Sequence, residues 1–281
     1  MTIMQRSIQQ IRIPVEATDG AGVKLKRFFP VPGFQAVDPF LLFDHFGSND
    51  PDDYVAGFPL HPHRGIETIT YMLKGKMRHK DSTGRSGVIK AGDVQWMSAG
   101  CGIMHEEMPE LEAGELSGFQ LWVNLSATEK MNPPDYQEYR ADQIPEFEID
   151  GNKFRLVCGD LFGHTGPVSK ISRKPMLVEI EINSTLTIPL SDNLSVLLYV
   201  FEGQLQVVKQ SSHEVLKAPQ MAVLSHGTQL DLTTDDSARI LLAAGEALNE
   251  PMVRWGPFVM NTREEIEQTL QELKSGTFPP V

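Results

Sequence analysis

Two blocks of the chain repeat the same order of residues at nearly the same spacing. "YMLKGKM" at 71–77 matches "YVFEGQL" at 199–205, an offset of 128 residues. "AGDVQWMSAG" at 91–100 resembles "APQMAVLSHG" at 218–227, an offset of 127. In each block an aromatic segment ends at a Gly turn, and a second apolar segment leads to another Gly. The repetition predicts a duplicated β-barrel, with chance similarity of strand–turn–strand segments as the alternative.

The rest of the chain supports a β fold. Segments rich in β-branched and aromatic residues alternate with Gly, Pro, Asn and Asp, which indicates antiparallel sandwiches or barrels rather than βαβ units. These segments are 65–84, 119–126, 175–182, 194–208 and 238–245. At 281 residues the chain is long enough for two domains, each with its own core. We expect an all-β protein with two tandem β-sandwich barrels, residues 1–145 and 146–281.

One helix is predicted near the C-terminus, over residues 262–275. Thr262 and Glu265 form a capping box, and Gly276 is a suitable terminator. Three apolar residues fall on one helical face, namely Ile266, Leu270 and Leu273. We expect a surface helix that covers a sheet edge, and the N-terminal domain is one place where it could pack.

Charge and cysteine content narrow the classes of partner. The formal net charge is −12, and no dense run of Lys and Arg is present, so we expect neither direct nucleic-acid binding nor a membrane-binding patch. Two cysteines, Cys101 and Cys158, do not make a disulfide framework, which favours a reducing cytoplasm. The start of the chain lacks an apolar signal segment, and no apolar window approaches the ~18 residues of a membrane span.

Two short motifs carry the residue types of a metal site. If residues 61–73 are extended, His61, His63 and Glu67 lie on one face of a strand, because strand side chains alternate. His105 and Glu107 alternate onto one face of a later strand. If the two strands oppose each other in one barrel, three imidazoles and one carboxylate converge, which leaves open positions on a six-coordinate metal. Two polar residues in a surface turn are the alternative for the His pair alone.

Five longer segments of the chain resemble the pirin family within the cupin superfamily. They are "DPFLLFDHF" (38–46), "HPHRGIETITYML" (61–73), "GDVQWMSAGCGIMHEEMP" (92–109), "LWVNLSATEKMNPPDYQE" (121–138) and "GPFVMNTREEI" (256–266). The resemblance implies two cupin-type domains, each a double-stranded β-helix or jelly-roll barrel, with one metal in the N-terminal domain. It implies iron(II) as the usual metal and His61, His63, His105 and Glu107 as its ligands. The same ligand types also suit Mn, Co, Ni, Cu or Zn.

The resemblance also implies an activity. Some pirins are similar to flavonol (quercetin) 2,3-dioxygenases, which implies a small aromatic, flavonoid-like substrate together with O2. In that chemistry a carboxylate near the metal takes a proton from the substrate hydroxyl. Glu107 is the first candidate for this base and Glu67 the second. The alternative function is a metal- or redox-dependent regulator that acts through a protein partner, as a transcriptional cofactor or as a modulator of a metabolic enzyme.

The repeat predicts that the second half lacks the ligands. At an offset of 128, His61 and His63 correspond to Pro189 and Ser191. At an offset of 127, His105 and Glu107 correspond to Leu232 and Thr234. We therefore expect a degenerate C-terminal cupin domain that does not bind a metal.

Overall fold

The computed structural model describes residues 4–110, 114–210 and 212–279. Within these ranges the chain forms 26 β-strands and one α-helix, α1 (Arg263–Ser275). The first twelve strands are β1 (Ile8–Arg12), β2 (Val15–Asp19), β3 (Val23–Phe29), β4 (Phe40–Ser48), β5 (Phe58–His63), β6 (Ile66–Lys74), β7 (Lys76–Asp81), β8 (Ser86–Lys90), β9 (Val94–Ser98), β10 (Ile103–Pro109), β11 (Leu116–Asn124) and β12 (Asp135–Tyr139). The others are β13 (Glu146–Ile149), β14 (Asn152–Cys158), β15 (Asp160–Leu161), β16 (His164–Thr165), β17 (Met176–Ile182), β18 (Leu186–Pro189), β19 (Leu194–Glu202), β20 (Gln204–Lys209), β21 (Ser212–Lys217), β22 (Gln220–Leu224), β23 (Gln229–Thr233), β24 (Ala238–Glu246), β25 (Val253–Trp255) and β26 (Phe258–Met260).

The chain divides into two compact units, and each is discontinuous in sequence. The first unit comprises residues 15–141 and 248–281, and the second comprises residues 1–14 and 142–247. The second unit includes the N-terminal strand because β1 pairs antiparallel with β22. The continuous domains expected from the sequence, 1–145 and 146–281, differ from these units at both chain ends. Sequence order alone does not indicate that the N-terminal segment belongs to the second unit and the C-terminal segment to the first.

The first unit is a sandwich of two antiparallel sheets. One sheet has the strand order β12-β9-β6-β11-β4-β3-β2, and the other has the order β5-β10-β7-β8. Apolar side chains from both sheets meet in one buried cluster, in which Met77 and Ile89 of the smaller sheet pack with Leu25, Phe46 and Met72 of the larger. This burial of apolar surface from both sides holds the two sheets together.

The second unit repeats this plan. Its larger sheet has the order β1-β22-β19-β24-β17-β14-β13, and its smaller sheet has the order β18-β23-β20-β21. Leu205 and Leu216 of the smaller sheet share one core with Leu198 and Ile240 of the larger. Strand β6 thus corresponds to β19 and β9 to β22, which are the segments of the internal repeat. The predicted all-β fold with two cupin-type domains and a C-terminal helix is confirmed.

The helix α1 belongs to the first unit. Thr262 caps its N-terminus in a capping box with Glu265, and Gly276 ends it in the left-handed conformation at φ 74°. Of the predicted apolar face, Ile266 is buried, but Leu273 is 39% exposed. Among the described residues, no helix is long and apolar enough to cross a bilayer.

A polar side chain, which apolar periodicity cannot predict, anchors α1 beside Ile266. Thr269 is fully buried, and its hydroxyl accepts a hydrogen bond from Arg64 Nη1 at 2.8 Å. Arg64 also donates to Glu272 Oε2 at 2.5 Å and to the Cys101 carbonyl at 2.6 Å. Because Arg64 directly follows the HPH motif, these bonds connect α1 to the end of β5.

Candidate metal centre

Strands β5 and β10 bring three histidines together. They pair antiparallel, with His61 opposite His105 and His63 opposite Ile103. Because directly opposed residues of an antiparallel pair lie on the same face, all three imidazoles are on one side of this sheet. One potential ligand atom from each of His61, His63 and His105 lies within 4.8 Å of the other two. The three histidines of the HPH and HEE motifs thus converge as predicted.

Hydrogen bonds orient two of these rings. Nδ1 of His61 lies 2.9 Å from the Pro59 carbonyl oxygen, and Nδ1 of His63 lies 3.4 Å from the Pro257 carbonyl oxygen. A carbonyl oxygen can only accept, so each Nδ1 carries a proton, and Nε2 is the nitrogen of each ring that can bind a metal. Histidines that bind metals have this arrangement, in which the second nitrogen is held by a carbonyl.

The third ring supplies an unsatisfied nitrogen. His105 Nε2 is buried and has no hydrogen-bond partner among the residues that the structure describes. An unsatisfied buried nitrogen is unfavourable unless a ligand meets it. The same burial lowers the pKa of His63 and of His105 well below the ordinary value, and the neighbouring imidazoles lower both further. Both rings are therefore neutral at pH 7, as metal coordination requires. The donor set fits a divalent transition metal.

Glu107, the fourth predicted ligand, stands apart from the three rings. It is buried on β10, and its carboxylate accepts hydrogen bonds from Thr70 Oγ1 at 3.3 Å and from Gln120 Nε2 at 3.1 Å. The register of β10 against β5 shifts between His105 and Glu107, so Glu107 lies opposite Phe58. It does line the same cavity as His61 and His63. Its carboxylate is outside the cluster of three imidazoles.

The expectation that Glu67 shares a face with His61 and His63 is wrong. The extended chain is interrupted at Gly65, which has φ 76° and separates β5 from β6 in two different sheets. On β6, side chains alternate, and Thr70 faces Glu107. Glu67, three residues before Thr70, therefore lies on the opposite face of the sheet.

A cavity of about 550 Å³ opens beside the histidines. Trp122 of β11 lines it and packs edge-on against His63, with ring centroids 4.9 Å apart. The other residues that line it include Asp19, Arg27, Leu42, Asp44, Phe58, Gln120 and Arg254. The cavity thus combines an aromatic wall with charged groups, as small-molecule sites do.

Several residues in or next to the cavity were not predicted from the sequence as site residues. Gln120 and Trp122 alternate on the strand "FQLWVN", and a polar residue within an apolar strand was an available signal. His79 is buried on β7 directly opposite Glu107, where it contacts Tyr136 and Glu138. Arg254 reaches the cavity from a distant C-terminal segment, and no local pattern predicts that approach.

Comparisons with known proteins agree with this arrangement. The Pirin family model matches residues 22–123, and the model of the Pirin C-terminal cupin domain matches residues 176–279. A Pseudomonas aeruginosa protein, provisionally named quercetin 2,3-dioxygenase, is 42% identical over 278 residues, which are 96% of this chain and 97% of that protein. A pirin-like protein of Caulobacter vibrioides is 42% identical over 265 residues, which are 93% of this chain and 95% of that protein.

A solved structure resembles the whole chain. The crystal structure of a quercetin 2,3-dioxygenase from Acinetobacter baumannii has a TM-score of 0.89 and 32% sequence identity, and the likeness covers 98% of this chain and 99% of that one. Both the sequence matches and the structural likeness extend over the two cupin units. With its duplicated sandwich and the three histidines in the first copy, this chain belongs to the pirin family of the cupin superfamily.

Proposed function

We propose that this pirin binds one iron(II) ion through His61, His63, His105 and Glu107 and cleaves flavonols with O2, as a quercetin 2,3-dioxygenase. The observation that carries the proposal is the cluster of three imidazoles, of which His63 and His105 are neutral and buried, beside a cavity of about 550 Å³. The names of the similar Pseudomonas and Acinetobacter proteins support the choice of substrate.

The metal would supply a Lewis-acid centre with positions open to a substrate oxygen and to O2. The protein supplies the rest. Trp122 offers an aromatic wall for a planar substrate, and the cavity volume lies within the roughly 300–1,000 Å³ of small-molecule sites.

Glu107 is the proposed base. Glu107 lines the cavity, and its carboxylate is held by two neutral donors, Thr70 and Gln120. Proton transfer from the flavonol 3-hydroxyl to a Glu107 oxygen would prepare the substrate for ring cleavage. The same carboxylate is the fourth proposed ligand. A change of its side-chain torsion would switch Glu107 between the role of metal ligand and the role of base.

Oxygen uptake tests the proposal. Protein purified without a His-tag is loaded anaerobically with iron(II), and its metal content is measured before quercetin and O2 are added. We expect oxygen consumption with release of carbon monoxide, and we expect neither from the His63→Ala variant. Loaded wild-type protein with confirmed iron and no oxygen uptake would overturn the assignment of substrate and reaction.

A further inference from the structure

The cavity beside the histidines is lined by two arginines that differ in their partners. Arg27 donates to Asp44 through Nε at 2.9 Å and through Nη2 at 2.6 Å, and its Nη2 also meets Asp19 at 2.6 Å. Its single positive charge thus meets two carboxylates. Arg254 has no carboxylate within ion-pair distance among the described residues.

The guanidinium of Arg254 is nevertheless held in place. Its Nε donates to the Gly256 carbonyl at 3.1 Å, and its Nη1 donates to the Leu41 carbonyl at 3.0 Å. Its central carbon lies 5.0 Å from the centroid of the Trp122 ring. Two of the five N–H groups are used in this way, and no acceptor among the described residues meets the other three. Fixed orientation and free donors are the properties of an anion-binding arginine.

Arg254 is also close to the histidines. Trp122 contacts Arg254 on one side and the His63 ring, at 4.9 Å, on the other. One indole ring therefore separates the cation from the histidine cluster. A ligand that reaches both would carry its metal-binding oxygens on one ring and a negative oxygen on the next.

We propose that Arg254 binds an anionic oxygen of the substrate, a carboxylate or phenolate, and so selects planar bicyclic aromatic anions over neutral analogues. The inference rests on the proposed function, because the metal at the histidine cluster is the second anchor. The inference specifies the charge of the substrate, which the dioxygenase reaction alone does not. Of the other charged side chains that line the cavity, Arg27 pairs with both Asp19 and Asp44, a trio with a net charge of −1, and Glu107 accepts hydrogen bonds from Thr70 and Gln120. Arg254 is therefore the cation of this lining that no carboxylate of the described residues pairs with.

Binding calorimetry tests this without turnover. The probes are dihydroxynaphthoate, a naphthalene catechol with a carboxylate on its second ring, and dihydroxynaphthamide, its neutral amide. Each is titrated into zinc-loaded protein under argon, so no oxidation can occur. We expect wild-type protein to bind the carboxylate at least about ten-fold more tightly than the amide. We expect Arg254→Gln to lose most of this preference, with the affinity for the amide nearly unchanged.

Two further variants complete the design. Arg254→Lys retains the charge but not the paired donors, so an intermediate preference is expected. Arg78→Gln removes an arginine whose side chain is 50% exposed and which does not line the cavity, so it controls for net charge and should match the wild type. Circular dichroism establishes that each variant is folded.

Equal affinity of the wild-type protein for the two probes would overturn the proposal, even if Arg254→Gln failed to fold. An equal loss of affinity for both probes in Arg254→Gln would also overturn it, since Arg254 would then only support the shape of the cavity. The outcome is independent of quercetin turnover. Anion preference without oxygen uptake would support this proposal and refute the dioxygenase assignment. Oxygen uptake without anion preference would support the dioxygenase assignment and refute this proposal.

Discussion

His61 and His105 are direct partners across β5 and β10, and their ring centroids lie 4.3 Å apart. This pairing joins two motifs that are separated by more than forty residues in the sequence. It depends on the register of a single strand pair. Because a slip of one residue turns every side chain to the other face, the register determines whether the metal site exists.

Removal of one imidazole should abolish stoichiometric metal binding. His105→Ala deletes a ring whose Nε2 has no protein partner among the described residues, so the site loses a ligand and no hydrogen bond of that nitrogen is broken. We expect metal affinity to fall by at least about 100-fold. Metal analysis after dialysis measures it, and His213→Ala, at an exposed position on β21, is the control. Equal metal content in both variants would contradict the site.

The two carboxylates named in the sequence should behave differently. Glu107→Gln removes the charge that lines the cavity, and we expect quercetin turnover to fall by at least about 100-fold, as for loss of a general base. Glu67→Gln alters a side chain on the opposite face of β6, so turnover per bound metal should stay at the wild-type level. Steady-state rates normalised to iron content decide between them. A greater loss in Glu67→Gln would reverse the assignment.

Gly65 should be irreplaceable at the turn between β5 and β6. It has φ 76°, and an added Cβ would lie 2.0 Å from the Val259 carbonyl oxygen. We expect Gly65→Ala to cost about 3 kcal/mol or more and to reduce metal affinity, because the turn positions His63. Gly84→Ala is the matched control, since Gly84 has φ 86° and no atom within 4 Å of the added Cβ. For Gly84→Ala we expect a loss of stability of only about 1–2 kcal/mol, which is the cost of the backbone strain. Urea denaturation of metal-free protein measures both, and equal costs would refute the steric argument.

His45 should make stability depend on pH below neutrality. Burial, with a smaller effect from Lys26, lowers the pKa of His45 from 6.5 to about 4. Between these values the unfolded state binds more protons than the folded state, so stability falls as pH falls below 6.5. At pH 5.5 the loss from this group is about 1.4 kcal/mol relative to pH 7.5. Denaturation of metal-free His45→Gln at both pH values should show a smaller loss than wild type, and an identical loss would contradict the prediction.

Much of the fold was accessible from the sequence because its signals are local. Strand alternation, Gly turns and the repeat predicted the duplicated sandwich, and the capping box of Thr262 and Glu265 predicted the start of α1. The convergence of His61, His63 and His105 followed from the same alternation. These features depend on residues close together in sequence or on a repeated spacing.

The remaining features depend on long-range contacts. Glu67 was placed wrongly because a single left-handed residue, Gly65, reverses the parity that alternation assumes. Arg254 and Thr269 belong to the C-terminal segment of the first unit, and their partners Leu41 and Arg64 lie about two hundred residues away in the sequence. Neither composition nor periodicity contains this information.

Anomalous scattering at the iron edge tests the central claim most directly. Crystals of anaerobically loaded protein should show one strong peak per chain at about 2.1 Å from a ring nitrogen of each of His61, His63 and His105. A Glu107 oxygen should complete the protein ligands. A peak elsewhere, or one whose carboxylate ligand is Glu67, would contradict the account.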